Sequence, residues 1–275
     1  MNQLTILDGA GGTTLWELAE KNGYTKDPVW KYNVEHPELV VEMHRMMIAA
    51  GAQIIYTNTF GANRPMVSRT SNYSVEEIVT AGVELAKKAA EGTGVKVALS
   101  CGPLSELLEP YGDLEEEEAE EIYREQIAPG VKAGADLVVI ETFIDAELAR
   151  IAVQVAKSMN IPTFCTCSFE KVGRTMMGQT VAQVCEKLEA AGADAVGMNC
   201  SLGPDYALPV IQEFAEQTKL PLIFKPNAGM PGQTTDPETF AQIVSQAFPL
   251  VTYVGGCCNC SPDYIRAIQN IILSM

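Results

Sequence analysis

Three copies of one short pattern constrain this chain more than any other feature. Ala50-Gly51-Ala52-Gln53-Ile54-Ile55, Ala133-Gly134-Ala135-Asp136-Leu137-Val138 and Ala191-Gly192-Ala193-Asp194-Ala195-Val196 each close an amphipathic stretch with a glycine and then enter an apolar run. Glycine just past a helix end accepts positive φ at little cost, so each copy reads as a joint from helix into strand. Apolar runs bounded by turn residues place eight strands at 5–7, 53–57, 96–100, 137–141, 163–168, 195–199, 222–225 and 252–255. Such runs suit strands buried on both faces of a parallel sheet. Helical patterns lie between them. After His36-Pro37, residues Leu39, Val40, Met43, Met46 and Met47 share a face; after Asp236-Pro237, so do Phe240, Ile243, Val244 and Ala247. Alternation of eight strands with helices predicts an α/β chain closed as a (β/α)8 TIM barrel, one domain over residues 1–275. An open doubly wound sheet is the competing topology, but no Gly-rich dinucleotide fingerprint follows the first strand.

Charge narrows the function. The formal net charge is −16, which argues against nucleic acid and against an acidic membrane surface as partners. Nothing approaches the 18 or more unbroken apolar residues of a membrane span. The start, Met1 to Gly9, has no charged region followed by a long apolar run; it reads as a first strand rather than a signal peptide, and a cytoplasmic address is expected. The acidic run Leu114-Glu115-Glu116-Glu117-Glu118 fits the first turn of a solvated helix, where carboxylates favour the macrodipole.

Eight cysteines need an explanation. A disulfide framework belongs to small secreted domains, so metal ligation, catalysis and core packing remain. In a barrel the active site forms where strands end at their carboxyl side. Those ends read Asp8-Gly9, Thr57-Asn58-Thr59-Phe60, Ser100-Cys101, Glu141-Thr142-Phe143, Asn199-Cys200-Ser201, Lys225-Pro226-Asn227 and Gly255-Gly256-Cys257-Cys258. Cys200 and the pair Cys257-Cys258 then stand two strands apart, near enough for three thiolates to meet one ion. A catalytic zinc takes three protein ligands and keeps a position open, and a soft thiol suits that position. The two glycines before Cys257 would let the backbone turn both thiols inward. Small buried hydrophobes or a vicinal disulfide are the other readings of the same residues. Cys185 shares a helical face with Val181, Val184 and Leu188 and reads as core; Cys101, Cys165 and Cys167 read as packing.

Several stretches together resemble the homocysteine S-methyltransferase family. They are Asp8-Gly9-Ala10-Gly11-Gly12-Thr13, Thr57-Asn58-Thr59-Phe60-Gly61-Ala62-Asn63, Glu141-Thr142-Phe143, Gly173-Arg174-Thr175, Asn199-Cys200-Ser201-Leu202-Gly203-Pro204, Lys225-Pro226-Asn227-Ala228-Gly229 and Gly255-Gly256-Cys257-Cys258. With Gly102-Pro103 and the segment Leu108 to Leu114, the chain is most similar to the homocysteine-binding module of cobalamin-dependent methionine synthase. The resemblance implies a (β/α)8 barrel, zinc on Cys200, Cys257 and Cys258, and methyl transfer to the homocysteine thiolate. It also implies that Asp8 and Glu141 accept the amino group of homocysteine, with help from the Thr57 hydroxyl. Where the family shows Gly then Thr after the paired cysteines, this chain has Asn259-Cys260, which leaves Cys260 open as an alternative ligand.

A free thiol is only a few per cent ionised at neutral pH, and a metal removes the need for a general base. That fits a chain with two histidines, His36 and His44, both of which read as structural. Neither sits in the Asp-x-His-x-x-Gly context of a cobalamin module, so methylcobalamin would arrive on a separate corrinoid protein. S-methylmethionine or betaine as donor, and another thiol as acceptor, are variants of the scheme. A Schiff-base aldolase using Lys225 and a non-catalytic zinc-holding subunit are the competing readings.

Overall fold

The computed structural model describes residues 4–230 and 232–275, so the part of the amino-terminal reading on Met1 to Gln3 lies outside the described residues. All eight expected strands form: Thr5–Ile6, Ile54–Tyr56, Lys96–Cys101, Leu137–Phe143, Thr163–Cys167, Ala195–Asn199, Leu222–Lys225 and Tyr253–Val254. They are parallel and paired in chain order, with the eighth lying between the seventh and the first. Thr5 stands opposite Tyr253. Between first and second strands, Leu7 bridges Ile54 and the Gln53 amide donates to the Ile6 carbonyl at 2.7 Å. That contact closes the ring. The fourth strand runs on to Phe143 through an irregularity between Ile140 and Phe143, past the expected end at Glu141.

The three glycine joints behave as their chemistry requires. Gly51, Gly134 and Gly192 have φ of 109°, 91° and 90°. The amide just beyond each turns back onto the helix: Ala52 to Met47 at 3.1 Å, Ala135 to Gly130 at 3.2 Å and Ala193 to Leu188 at 3.0 Å. These are Schellman closures, which satisfy helix-end carbonyls and aim the chain into the next strand. Inside the ring, Leu7, Ile54, Tyr56, Val139, Phe164 and Ile223 pack against one another. A second apolar shell, including Cys101, Cys165, Cys167 and Cys185, fills the space between sheet and helices. The acidic run opens the helix Glu116–Lys132, with Glu116, Glu117 and Glu118 in its first turn. Among the described residues no helix is long and apolar enough to cross a membrane.

Both histidines belong to one helix, Pro37–Ala49, His36 capping its start and His44 lying within it. His36 stacks on Tyr24, ring centroids 3.8 Å apart. His44, on the helix Pro37–Ala49, is buried, and neither ring nitrogen finds a partner among the described residues. Burial holds its pKa down to about 4. In an unfolded chain it titrates near ~6.5. The stability carried by its neutral form is therefore complete above about pH 6.5 and is lost as the pH falls to about 4, a difference of about 3 kcal/mol. Chemical denaturation of His44→Leu is expected to show a flatter stability profile over that range. It should also show a gain of about 1–3 kcal/mol at pH 7, because an unsatisfied buried imidazole is removed. A variant as acid-sensitive as the parent would contradict this.

Candidate active site

A polar ring caps the apolar interior of the barrel. Asp8, Ser100, Glu141, Thr166, Asn199 and Lys225, all buried, stand at or just beyond the carboxyl ends of the strands. Above them lie Cys200, Cys257 and Cys258, whose sulfurs are all within 4.8 Å of one another. The Cys200 and Cys258 sulfurs are 3.4 Å apart. A tetrahedral zinc with Zn–S near ~2.3 Å separates its sulfurs by about 3.8 Å, so the trio has the size to grip one ion. Cys258 is exposed and its two companions are half-buried, which leaves one side of the cluster facing outward.

Local backbone puts the thiols there. Cys200 and Ser201 are consecutive non-glycine residues in the left-handed region, with φ of 64° and 60°. Such residues cost about 1–2 kcal/mol each and need outside support. The Cys200 amide donates to the Lys225 carbonyl at 3.1 Å, and the Asn227 amide to the Leu202 carbonyl at 2.9 Å. The same segment after the seventh strand templates the paired cysteines. Cys257 donates its amide to Pro226 at 2.8 Å, Cys258 to the Asn227 side-chain oxygen at 3.1 Å, and Ala228 donates to the Cys258 carbonyl at 3.0 Å.

The glycines before Cys257 serve a different purpose from the one expected. Neither has positive φ among the described residues. A Cβ on Gly255 would lie 2.8 Å from the Asp8 carbonyl oxygen, and one on Gly256 would lie 2.4 Å from the Cys260 Cβ. They permit close approach rather than a turn. Cys260 is accordingly not part of the trio: it is buried, its thiol faces the Pro226 carbonyl at 3.7 Å, and burial pushes its pKa up. Within the trio, the Cys200 and Cys258 sulfurs are in hydrogen-bond contact. Hydrogen bonding among the three lowers the Cys200 pKa and raises that of Cys257 and of Cys258.

The expected substrate residues are brought together at the same mouth, but two are already engaged. Asp8 accepts from the Lys225 ammonium at 2.8 Å and from the Tyr56 amide at 2.7 Å. Thr57 accepts the Ser100 amide at 3.0 Å and meets the Thr59 hydroxyl at 2.7 Å; Thr59 in turn donates to the Ser100 carbonyl. The Thr57 proton is thus committed to Thr59. Glu141 accepts from the Ser100 hydroxyl at 2.6 Å and from the Asn199 amide at 3.3 Å. Burial pushes the Asp8 and Glu141 carboxyls up, against the pull of Lys225. Burial also disfavours the Lys225 ammonium, but Asp8, Tyr56 and Glu141 outweigh it and raise its pKa. A lysine held as a paired ammonium has no lone pair to offer a carbonyl, which weighs against the aldolase reading.

Sequence reasoning missed Asn199. Its carboxamide oxygen accepts from the Thr142 amide and the Thr166 hydroxyl, each at 2.8 Å. Its nitrogen reaches Glu141, the Thr142 hydroxyl at 2.7 Å and the Cys257 sulfur at 3.6 Å. One amide therefore spans from the cysteine cluster to the carboxylate. The signal was present: an asparagine pointing inward at the end of a barrel strand, immediately before a candidate ligand.

Comparison with known proteins finds relatives in both sequence and fold. A sequence model described as homocysteine S-methyltransferase matches residues 5–272. Betaine–homocysteine S-methyltransferase 1 of Mus musculus is 29% identical over 300 residues, covering 98% of this chain and 72% of its own length. Methionine synthase of Mycobacterium leprae (strain TN) is 26% identical over 261 residues, covering 86% of this chain and 21% of its own length. In fold, the chain is similar to the metallated form of the homocysteine methyltransferase MmuM from Escherichia coli, with a TM-score of 0.82 at 24% identity over 98% of this chain and 96% of that one.

Proposed function

The chain belongs to the homocysteine S-methyltransferase family, and from that premise we propose that it is a single-domain, zinc-dependent enzyme that methylates homocysteine to methionine, with methylcobalamin on a separate corrinoid protein as donor. One observation carries the reading: three mutually adjacent sulfurs share a mouth with a buried carboxylate, and the Asn199 amide touches both. The donor set is three soft sulfurs, as a zinc site for a thiol substrate requires. Zinc held by Cys200, Cys257 and Cys258 would supply the Lewis acidity that keeps a substrate thiol ionised at neutral pH.

The residues of the chain do the rest. Glu141 accepts the substrate ammonium, while the Asn199 amide fixes the distance between that end of the pocket and the sulfur cluster. Asp8 and Thr57 hold the strand ends on which the pocket is built. The sulfur attacks the methyl carbon from the side opposite its donor. As the new S–C bond forms, the bond to the donor breaks and its electron pair leaves with the donor; the thiol proton passes to solvent.

One feature favours a macromolecular donor. Phe60, Leu107, Tyr111, Val172 and Met176 are exposed large apolar side chains on loops that follow the second, third and fifth strands, around the mouth. Apolar groups rimming an active-site mouth suit a protein surface more than a free small cation. The eight unbridged cysteines suit work in the reducing cytoplasm.

Incubation with homocysteine and, in turn, protein-bound methylcobalamin, free methylcobalamin, betaine and S-methylmethionine tests the proposal, with methionine as the readout. Turnover with the corrinoid donors is expected. Efficient turnover with betaine or S-methylmethionine and none with a corrinoid would overturn the donor assignment. Zinc bound with an unaltered ligand shell on adding homocysteine, and no methionine from any donor, would favour the non-catalytic subunit.

A further inference from the structure

Asp8 already has a charged partner within the protein. One oxygen takes the Lys225 ammonium at 2.8 Å and the other the Tyr56 amide at 2.7 Å. The lysine is only 3% exposed and its nitrogen lies 3.7 Å from the centre of the Tyr56 ring. A cation that a bound amino acid would present to Asp8 is therefore already supplied by the seventh strand. Glu141 differs: its two donors, the Ser100 hydroxyl and the Asn199 amide, are both neutral. Among the described residues, Asp8 has a charged hydrogen-bond partner and Glu141 has none. Buried charges need partners, so that is where a substrate cation belongs.

We propose that Lys225 is a specificity-determining residue, standing in at Asp8 for a substrate ammonium so that Glu141 alone receives the amino group of the thiol acceptor. The inference rests on the thiol-methylation reading above and refines its substrate class. An acceptor lacking the amino group then strands one carboxylate rather than two. The enzyme discriminates only moderately between homocysteine and its des-amino counterpart, 4-mercaptobutanoate. The lysine acts on the substrate through Asp8, by removing a demand for charge.

The test compares kcat/KM for homocysteine with that for 4-mercaptobutanoate, using one donor throughout. Loss of one charge-assisted contact predicts a preference of about 10- to 100-fold in the parent enzyme. Lys225→Met leaves Asp8 unpaired, and the preference is expected to rise by at least about tenfold, mainly through KM. Lys225→Arg keeps the charge and should keep the parent ratio. The double variant Asp8→Asn/Lys225→Met removes the pair together and guards against misfolding of the single one; its ratio should equal that of the parent. If Asp8 itself receives the substrate ammonium, the double variant instead loses about tenfold in preference, which overturns the proposal. An unchanged ratio in Lys225→Met, with kcat reduced equally for both thiols, also overturns it. Methylation of neither thiol by the parent enzyme defeats the functional reading as well; an active parent with an unmoved ratio defeats this inference alone.

Discussion

Replacing Cys258 with alanine is expected to lower homocysteine methylation by about three orders of magnitude while leaving the barrel folded. The magnitude comes from two losses. On the proposed mechanism, a thiol no longer held by zinc returns to a pKa near ~8.5, and at neutral pH that alone costs about 30-fold in thiolate. Losing the fixed position of the sulfur costs about another 10². Stability should change little, because Cys258 is exposed and belongs to none of the apolar clusters. Cys200→Ala and Cys257→Ala should behave alike in activity, and metal analysis should show bound zinc falling from one per chain to a small fraction. Full activity in any of the three would remove that sulfur from the site. Cys260→Ala provides the contrast. Its thiol lies in the core against the Pro226 carbonyl, so zinc content should hold while stability drops by about 1 kcal/mol.

The second large effect belongs to Glu141. Glu141→Gln keeps the shape and still accepts from Ser100, but it removes the charge that the substrate ammonium needs. A charge-assisted contact in a buried site is worth about 2–3 kcal/mol, so kcat/KM for homocysteine should fall by about 10². Because the contact forms on binding and persists through reaction, the loss should appear in KM with kcat nearly unchanged. Zinc content should not move. A fall in kcat at constant KM, or loss of zinc, would show that Glu141 acts on the sulfur cluster rather than on the amino group.

Much of this was legible in the chain before folding, and the reasons are physical. Gly51, Gly134 and Gly192 announced the helix-to-strand joints because a left-handed helix end is local chemistry, and each adopts positive φ as expected. Strand ends in a barrel share one face, so Cys200, Cys257 and Cys258 could be placed together from their order alone. Pairings set by the third dimension were not legible. Lys225 invited a Schiff-base reading until its partner Asp8, 217 residues away in sequence, was found against it. Asn199 looked like an ordinary strand end beside a cysteine. Gly255 and Gly256 suggested a turn, whereas the carbonyl of Asp8 and the side chain of Cys260 dictate their size. Cys260 itself could not be told from a ligand by its neighbours in sequence.

The seam between the first and last strands has an implication for how the protein is made. Thr5 pairs with Tyr253, and the Gly256 amide reaches back to the Asp8 carbonyl at 3.2 Å. On the ribosome, Asp8 and Cys200 are synthesised long before their counterparts, and loop closures over such spans come late. A nascent chain that has passed Cys200 but not reached Cys257 carries one of the three sulfurs with neither companion, and so has no way to retain zinc. If the proposed zinc site holds, metal capture follows docking of the eighth strand. The rate of zinc uptake by a refolding chain would serve as a clock for the final step of assembly.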